Sequence, residues 1–193
     1  MCQTCYNLSR NPAETEVFMR LFFGLSLPDD VRAVTAACAR EAQNMIPGRY
    51  ALSENHHITL AFLGETPESR LQEARDVLAR CAAAFPAPTL ALDGFSYFGR
   101  AQNGILILRV KSDPALDALH RQLVDALHEA ELPADPGPFS AHITLARHAQ
   151  ITGGFPACPF ASFRADQAHV FVSARDHENI LRYTPVRTVS FMK

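Results

Sequence analysis

HHITLA at residues 56–61 returns as AHITLA at residues 141–146. From His57 to Ala61 and from His142 to Ala146 the two copies are identical, and each follows a polar or turn-rich segment. A short β-branched, apolar run reads as a strand, and a strand sends successive side chains to opposite faces. His57 and Thr59 therefore share one face, with Ile58, Leu60 and Phe62 on the other; His142 and Thr144 stand in the same relation to Ile143 and Leu145. The apolar face belongs to a core. The other face offers, twice over, an imidazole beside a hydroxyl.

On either side of these strands the chain alternates between elements. Residues 20–27 (RLFFGLSL) have strand length and stop at Pro28, and Val31, Val34, Cys38 and Met45 then recur on one helical face. Thr66 and Pro67 read as the cap and first position of a second helix, whose stripe is Leu71, Ala74, Leu78 and Cys81. Residues 89–95 alternate like a half-buried strand, and residues 105–110 are continuous enough for a buried one. Asp113 before Pro114 caps a third helix with Leu116, Leu119, Leu123 and Leu127 inside. The turn-rich residues 133–139 lead into the second HITLA, and residues 168–173 and 187–191 read as closing strands. Helices do not separate every pair of strands, so the class expected is α+β. Each half places one HITLA strand in its own antiparallel-rich sheet with flanking helices. Two pseudo-symmetric lobes then face each other across a cleft that holds the active site.

Composition narrows the partners. The 18 basic and 20 acidic residues leave a formal charge of −2, which excludes the global basic field of a non-specific nucleic-acid binder. Attraction to an anion must be local. No apolar run is long enough for a membrane span and the first residues lack a secretory signal, so no membrane partner and a cytoplasmic location are expected. Five scattered cysteines argue against a disulfide framework, and Cys2 with Cys5 is a lone pair in what reads as a disordered leader, residues 1–16. The expected domain is a single unit over residues 17–193, acting as a monomer.

Histidine alone has an ordinary pKa, ~6.5, that lets one copy be neutral and another protonated near pH 7. One imidazole can take a proton from water while the other gives one to a departing ribose oxygen. Neither step needs a metal, and no cofactor is expected. Thr59 and Thr144 can donate hydrogen bonds to phosphate oxygens. Single His-x-Thr strands are ordinary, but two copies in matching contexts favour a phosphodiester site. The alternatives are a non-catalytic nucleotide-binding module using the same cleft and, from the eight histidines, a metallohydrolase, although the HxT spacing gives no ligand set.

HHITLAFLGE and FSAHITLAR resemble the two HxTx motifs of the two-histidine (2H) phosphoesterase superfamily. With RLFFGLSLP near the start and LRYTPV near the end, the chain is similar to the LigT-like branch, the RNA 2′,3′-cyclic phosphodiesterases historically called 2′-5′ RNA ligases. The resemblance spans Arg20 to Phe191. It implies a bilobal fold with pseudo-twofold symmetry and hydrolysis of RNA or nucleoside 2′,3′-cyclic phosphate to a 2′-phosphomonoester, with reversible 2′-5′ ligation. It assigns His57 as proton donor, His142 as proton acceptor, and Thr59, Thr144 and Arg147 as phosphate ligands. Strand parity alone sets Arg147 with Ile143 and Leu145, so the strand ends or bulges before it, or the residue serves elsewhere. Ala141 stands where the family often has proline, and Ile107 where many members carry tryptophan.

Other residues carry less. His56 has core parity, and His120 and His128 are too far apart for a metal pair. His148, His169 and His177 read as surface or supporting residues. Arg182 and Tyr183 have access either to the cleft or to a structural role at the sheet end. Phe95, Tyr97 and Phe98 can stack on a base, with core packing as the default.

Overall fold

The run from residue 20 lies within β1 (Phe18–Ser26), where Leu21, Phe23 and Leu25 are fully buried. Pro28 ends it, and Asp29 and Asp30 open α1 (Asp29–Gln43) with the acidic first turn that a helix N-terminus favours. The structure, a computed structural model, describes residues 16–111, 113–134 and 137–192. Cys2, Cys5 and all of the expected leader except Glu16 lie outside the described residues. After α1 come β2 (Arg49–Tyr50), a 3-10 turn at Ser53–Asn55, β3 (His57–Pro67), a second 3-10 turn at Glu68–Arg70 and α2 (Leu71–Ala83). Then follow β4 (Thr89–Arg100), β5 (Asn103–Val110), α3 (Pro114–Glu129), β6 (His142–Ala149), β7 (Ser162–Arg164), β8 (Gln167–Arg175) and β9 (Leu181–Ser190). Among the described residues no helix is long and apolar enough to cross a membrane.

The class is α+β, as the element order predicts. The strands form one nine-stranded sheet in the order β7-β4-β5-β6-β3-β1-β8-β9, with β2 beside β6 and every pairing between them antiparallel. The two HITLA strands are thus neighbours within one sheet rather than members of separate sheets. They meet at a single pair, Ile58 with Ile143. On one side of that pair β1–α1–β3 forms a strand, helix, strand unit; on the other β5–α3–β6 repeats it, each unit delivering its HITLA strand to the middle.

All three helices cover the face that carries Ile58 and Ile143. Leu116, Leu119, Leu123 and Leu127 of α3 are at most 1% exposed, the stripe expected from their spacing. Burying each contributes roughly 1.5–3 kcal/mol. Asp113 caps this helix as its sequence signals, its carboxylate accepting from the backbone N–H groups of Ala115 and Leu116 at 2.9 Å. Two helix boundaries differ from the sequence reading. Thr66 and Pro67 do not start α2; they extend β3, because β1 continues to Phe18 and pairs with both. Met45 lies beyond α1 and is exposed, and Ile46 fills the core there instead.

Two bulges in each HITLA strand decide which side chains leave the core. In β3 an extra residue, Leu60, sits between the pairs Thr59–Gly24 and Ala61–Phe23, and Leu63 is a second one. In β6 the extra residues are Leu145, between Thr144–Ile107 and Ala146–Leu106, and His148, whose φ is 53°. Each bulge inverts the alternation beyond it. Leu60 with Ala61, and Leu145 with Ala146, both turn inward and are buried. Phe62, expected on the core face, is therefore turned to the histidine face, and so is Arg147. The bulged carbonyls find partners off the ladder: Leu60 O accepts from His120 Nδ1 at 2.7 Å, and Leu145 O from the Ala51 N–H at 2.8 Å.

Candidate functional site

With Ile58 opposite Ile143, the antiparallel register sets His57 across from Thr144 and Thr59 across from His142, all four on the face the helices leave open. His57 and His142 are diagonal neighbours, and such pairs have Cβ atoms ~7–8 Å apart. Ile58–Ile143 is the one rung that joins β3 to β6, and the two rings flank it on the open face. All four side chains are half-buried.

Each imidazole is anchored the same way. His57 Nδ1 lies 2.7 Å from Asn55 O, and His142 Nδ1 lies 2.7 Å from Ser140 O. A carbonyl only accepts, so Nδ1 carries the proton in both rings and Nε2 is left to do chemistry. His57 Nε2 is 3.0 Å from Thr59 Oγ1. Burial pushes the His57 pKa down from 6.5 to about 4, against the Asn55 hydrogen bond, and the charges of His142 and Arg147 push the same way. Burial also lowers His142, opposed by its bond to Ser140 and assisted by Arg147. Both rings are thus held neutral in the free protein, and no carboxylate is among the groups acting on either. The fixed charge acting on both rings is the Arg147 cation.

Arg147 occupies the site face because of the Leu145 bulge, which settles the parity question the sequence left open. Its charge reaches both histidines. Ile107 lies opposite Thr144 on the same face and is 1% exposed, part of the floor.

Aromatic residues outside the two HxTx motifs wall the site. Phe22, Phe171 and Tyr183 surround His57 with ring centroids 4.8, 6.0 and 5.1 Å away, Tyr183 edge-on at 87°. Their strands are far apart in sequence and adjacent in the sheet. Asn55 holds this wall in place with its side chain: Nδ2 donates to Leu181 O at 2.8 Å and Oδ1 accepts from the Tyr183 N–H at 3.2 Å. Arg182 instead pairs with Asp176 at 3.0 Å. Of the three candidate stacking aromatics, only Phe98 adjoins a catalytic candidate, edge-on to His142 at 4.9 Å. Phe95 and Tyr97 pack on Phe155 on the opposite face.

The remaining histidines separate clearly. His56 is buried, its Nδ1 at 2.8 Å from Thr35 Oγ1, and burial depresses its pKa to about 4. His169 is buried rather than superficial, bridging Ser26 and Thr188 at 2.9 and 3.0 Å. His120 stacks on Phe139 at 4.2 Å while bonding Leu60 O, so it ties the first HITLA strand to the segment that leads into the second. A cavity of about 440 Å³ lined by Val110, Asp117, His120, Arg121, Phe139 and Ser140 lies between α3 and the segment that leads into β6. Among the described residues no group of three or more His, Cys, Asp or Glu side chains is placed to hold a metal ion.

Comparison with known proteins gives the same direction. A family model for the 2′-5′ RNA ligase superfamily matches residues 28–177. The RNA 2′,3′-cyclic phosphodiesterase of Geobacillus stearothermophilus is 32% identical over 128 residues, 65% of this chain but 41% of that protein. That of Bacillus subtilis (strain 168) is 27% identical over 143 residues, 73% of this chain and 78% of that protein. Among solved structures, E. coli LigT in its apo form superposes with a TM-score of 0.77 at 25% identity, covering 92% of this chain and 99% of LigT. LigT complexed with 3′-AMP does so at 0.77 and 26%, covering 92% of this chain and 100% of LigT.

Proposed function

The chain belongs to the 2′-5′ RNA ligase superfamily, and from that premise we propose that it hydrolyses RNA or nucleoside 2′,3′-cyclic phosphates to 2′-phosphomonoesters without a metal. The observation that carries this reading is the pair of Nδ1-anchored imidazoles facing each other across the single Ile58–Ile143 contact. In the proposed reaction His142 Nε2 takes a proton from water as its oxygen attacks phosphorus. His57 Nε2 delivers a proton to the departing 3′ oxygen, and the P–O3′ bond breaks. Thr59, Thr144 and Arg147 hold the non-bridging oxygens as charge redistributes. The same steps with a 5′ hydroxyl in place of water as nucleophile account for 2′-5′ joining: His142 takes the hydroxyl proton, the P–O5′ bond forms, the P–O3′ bond breaks and His57 protonates the 3′ oxygen; attack of that 3′ hydroxyl on the new linkage is the reverse.

A donor whose pKa lies near 4 in the free protein is unprotonated at neutral pH, so the substrate must supply the missing attraction. A phosphate monoanion ~4 Å from the ring stabilises its protonated form by about 4 kcal/mol at an effective dielectric constant of ~20. One pKa unit corresponds to about 1.4 kcal/mol, so the bound anion offsets the whole of the depression from 6.5 to about 4. Substrate binding thereby arms the acid. Both histidines come from one chain, which supports action as a monomer. The free thiols Cys38 and Cys81, both buried, suit the reducing cytoplasm in which we place it.

The test is direct. Purified protein is incubated in chelator with each of the four nucleoside 2′,3′-cyclic phosphates and with an oligonucleotide ending in one, and the phosphomonoester isomer is identified. Formation of the 2′ isomer is expected. Tight binding of a 2′-nucleotide with no turnover of any cyclic substrate would leave only a nucleotide-binding module.

A further inference from the structure

Resting on that reading, we infer that Arg49 and Arg147 form an extended anion track in which Arg49 receives the phosphodiester preceding the terminal nucleotide, making RNA chains the preferred substrates over mononucleotides.

Arg49 stands directly opposite Arg147 in the pairing of β2 with β6. Residues opposite one another in an antiparallel pair project to the same face, and the Leu145 bulge has put Arg147 on the face of the two histidines. Tyr50 fixes the parity independently: it packs against the core, with its hydroxyl donating to Ile46 O at 2.9 Å, so its neighbour Arg49 points the other way. The Ala51 N–H bond to Leu145 O pins β2 at that position.

Two arginines side by side repel. Both are exposed, and neither makes an ion pair or a side-chain hydrogen bond with any described residue. By contrast, Arg109, across from His142, is neutralised by Asp93 at 3.3 Å. The pair is therefore an uncompensated local charge in a chain whose formal net charge is −2. The matching end of β3 gives direction: the position equivalent to Arg147 holds Phe62, stacked on Phe22 at 6.5 Å. One end of the floor is aromatic, with the Arg20 guanidinium spread over Phe62 at 5.0 Å, and the other carries two guanidinium groups side by side with no ring beneath them among the described residues. β5 occupies one edge of β6, so Arg49 lies across from Arg147 on the edge shared with β3. Arg147 acts on both histidines and Arg49 is not among the charges acting on either, so with Arg147 at the terminal phosphate Arg49 is left for the next phosphate of the chain.

The experiment compares wild type with Arg49→Ala and Arg49→Gln on two probes, a nucleoside 2′,3′-cyclic phosphate and a pentaribonucleotide ending in the same cyclic nucleotide. The ratio of kcat/KM for the pentamer to that for the mononucleotide is expected to fall about tenfold in both variants. Affinity for a 3′-phosphorylated pentamer, followed by anisotropy over a range of salt, should lose about 0.7 from its log–log slope. Thermal melts identify a variant that is misfolded, and the glutamine variant preserves bulk and polarity. An unchanged ratio with an unchanged salt slope overturns the track while leaving the phosphodiesterase reading intact. If wild type turns over neither probe, that reading fails, and the salt slope alone decides the role of Arg49.

Discussion

His57 and His142 owe their readiness to a backbone carbonyl each, which fixes the proton on Nδ1 and presents Nε2 to the opening. Replacing either by alanine is expected to cut kcat at least about 1,000-fold, near the upper part of the range for a lost proton-transfer group, while the melting temperature stays close to wild type; steady-state kinetics beside calorimetry checks both. The depressed pKa values set the pH dependence. In the free protein His57, the proposed donor, loses its proton above about pH 4, and on this proposal a bound anion moves that loss upward. The pH optimum of kcat should therefore lie above that of kcat/KM, and coincident optima would contradict an acid armed by substrate. These two residues and their threonines were legible because the sequence repeats them. Tyr183 stood out with two roles open, the cleft or the sheet end; Phe22 and Phe171 did not stand out, since each is an ordinary strand aromatic until the sheet order brings β1, β8 and β9 to one side of His57. Asn55 gave no signal either, because its value lies in reaching β9.

The bulges show how far a periodic reading carries and where it stops. Alternation correctly assigned His57, Thr59, His142 and Thr144, which precede the first bulge in their strands. It failed at Phe62 and left Arg147 open, since one inserted residue reverses every later assignment. Nothing in LAF or LAR announces the insertion; it is stabilised from outside, by His120 on α3 and by Ala51. His120→Ala removes the donor to Leu60 O and its stacking on Phe139. We expect a loss of about 1–3 kcal/mol, a fall in melting temperature of roughly 2–4 °C for each kcal/mol, and a drop in kcat as His57 and His142 lose alignment. His120→Gln, which can still donate, should recover part of each, measured by thermal melts and single-turnover rates. The helices themselves were legible from their stripes and from the Asp113 cap. The start of α2 was not, because the same Thr-Pro pair that caps a helix also closes a strand when β1 is long enough to pair with it.

Four histidines, His56, His57, His142 and His169, are held neutral by burial, so the fold as a whole is biased against acid. A histidine with a lowered pKa in the folded state stabilises above its unfolded value of ~6.5, and that contribution is lost as pH falls through the folded value. For His56, whose folded value is about 4, the loss by pH 4 is about 3 kcal/mol. Melting temperatures should hold between pH 8 and 7 as far as these groups are concerned, then fall steeply below pH 6. His56→Asn should narrow its deficit relative to wild type as the pH drops. The repeat announced related halves, and related strand–helix–strand units are present; what it could not announce is that they share one sheet. Ile58 and Ile143 make the one rung between the HITLA strands. A ladder reduced to one rung resists stretching but yields to twist, with α1 and α3 as splints behind it. Each imidazole thus belongs to its own strand–helix–strand unit, and the spacing between them is set, like that of a caliper, at a pivot made of a pair of isoleucines.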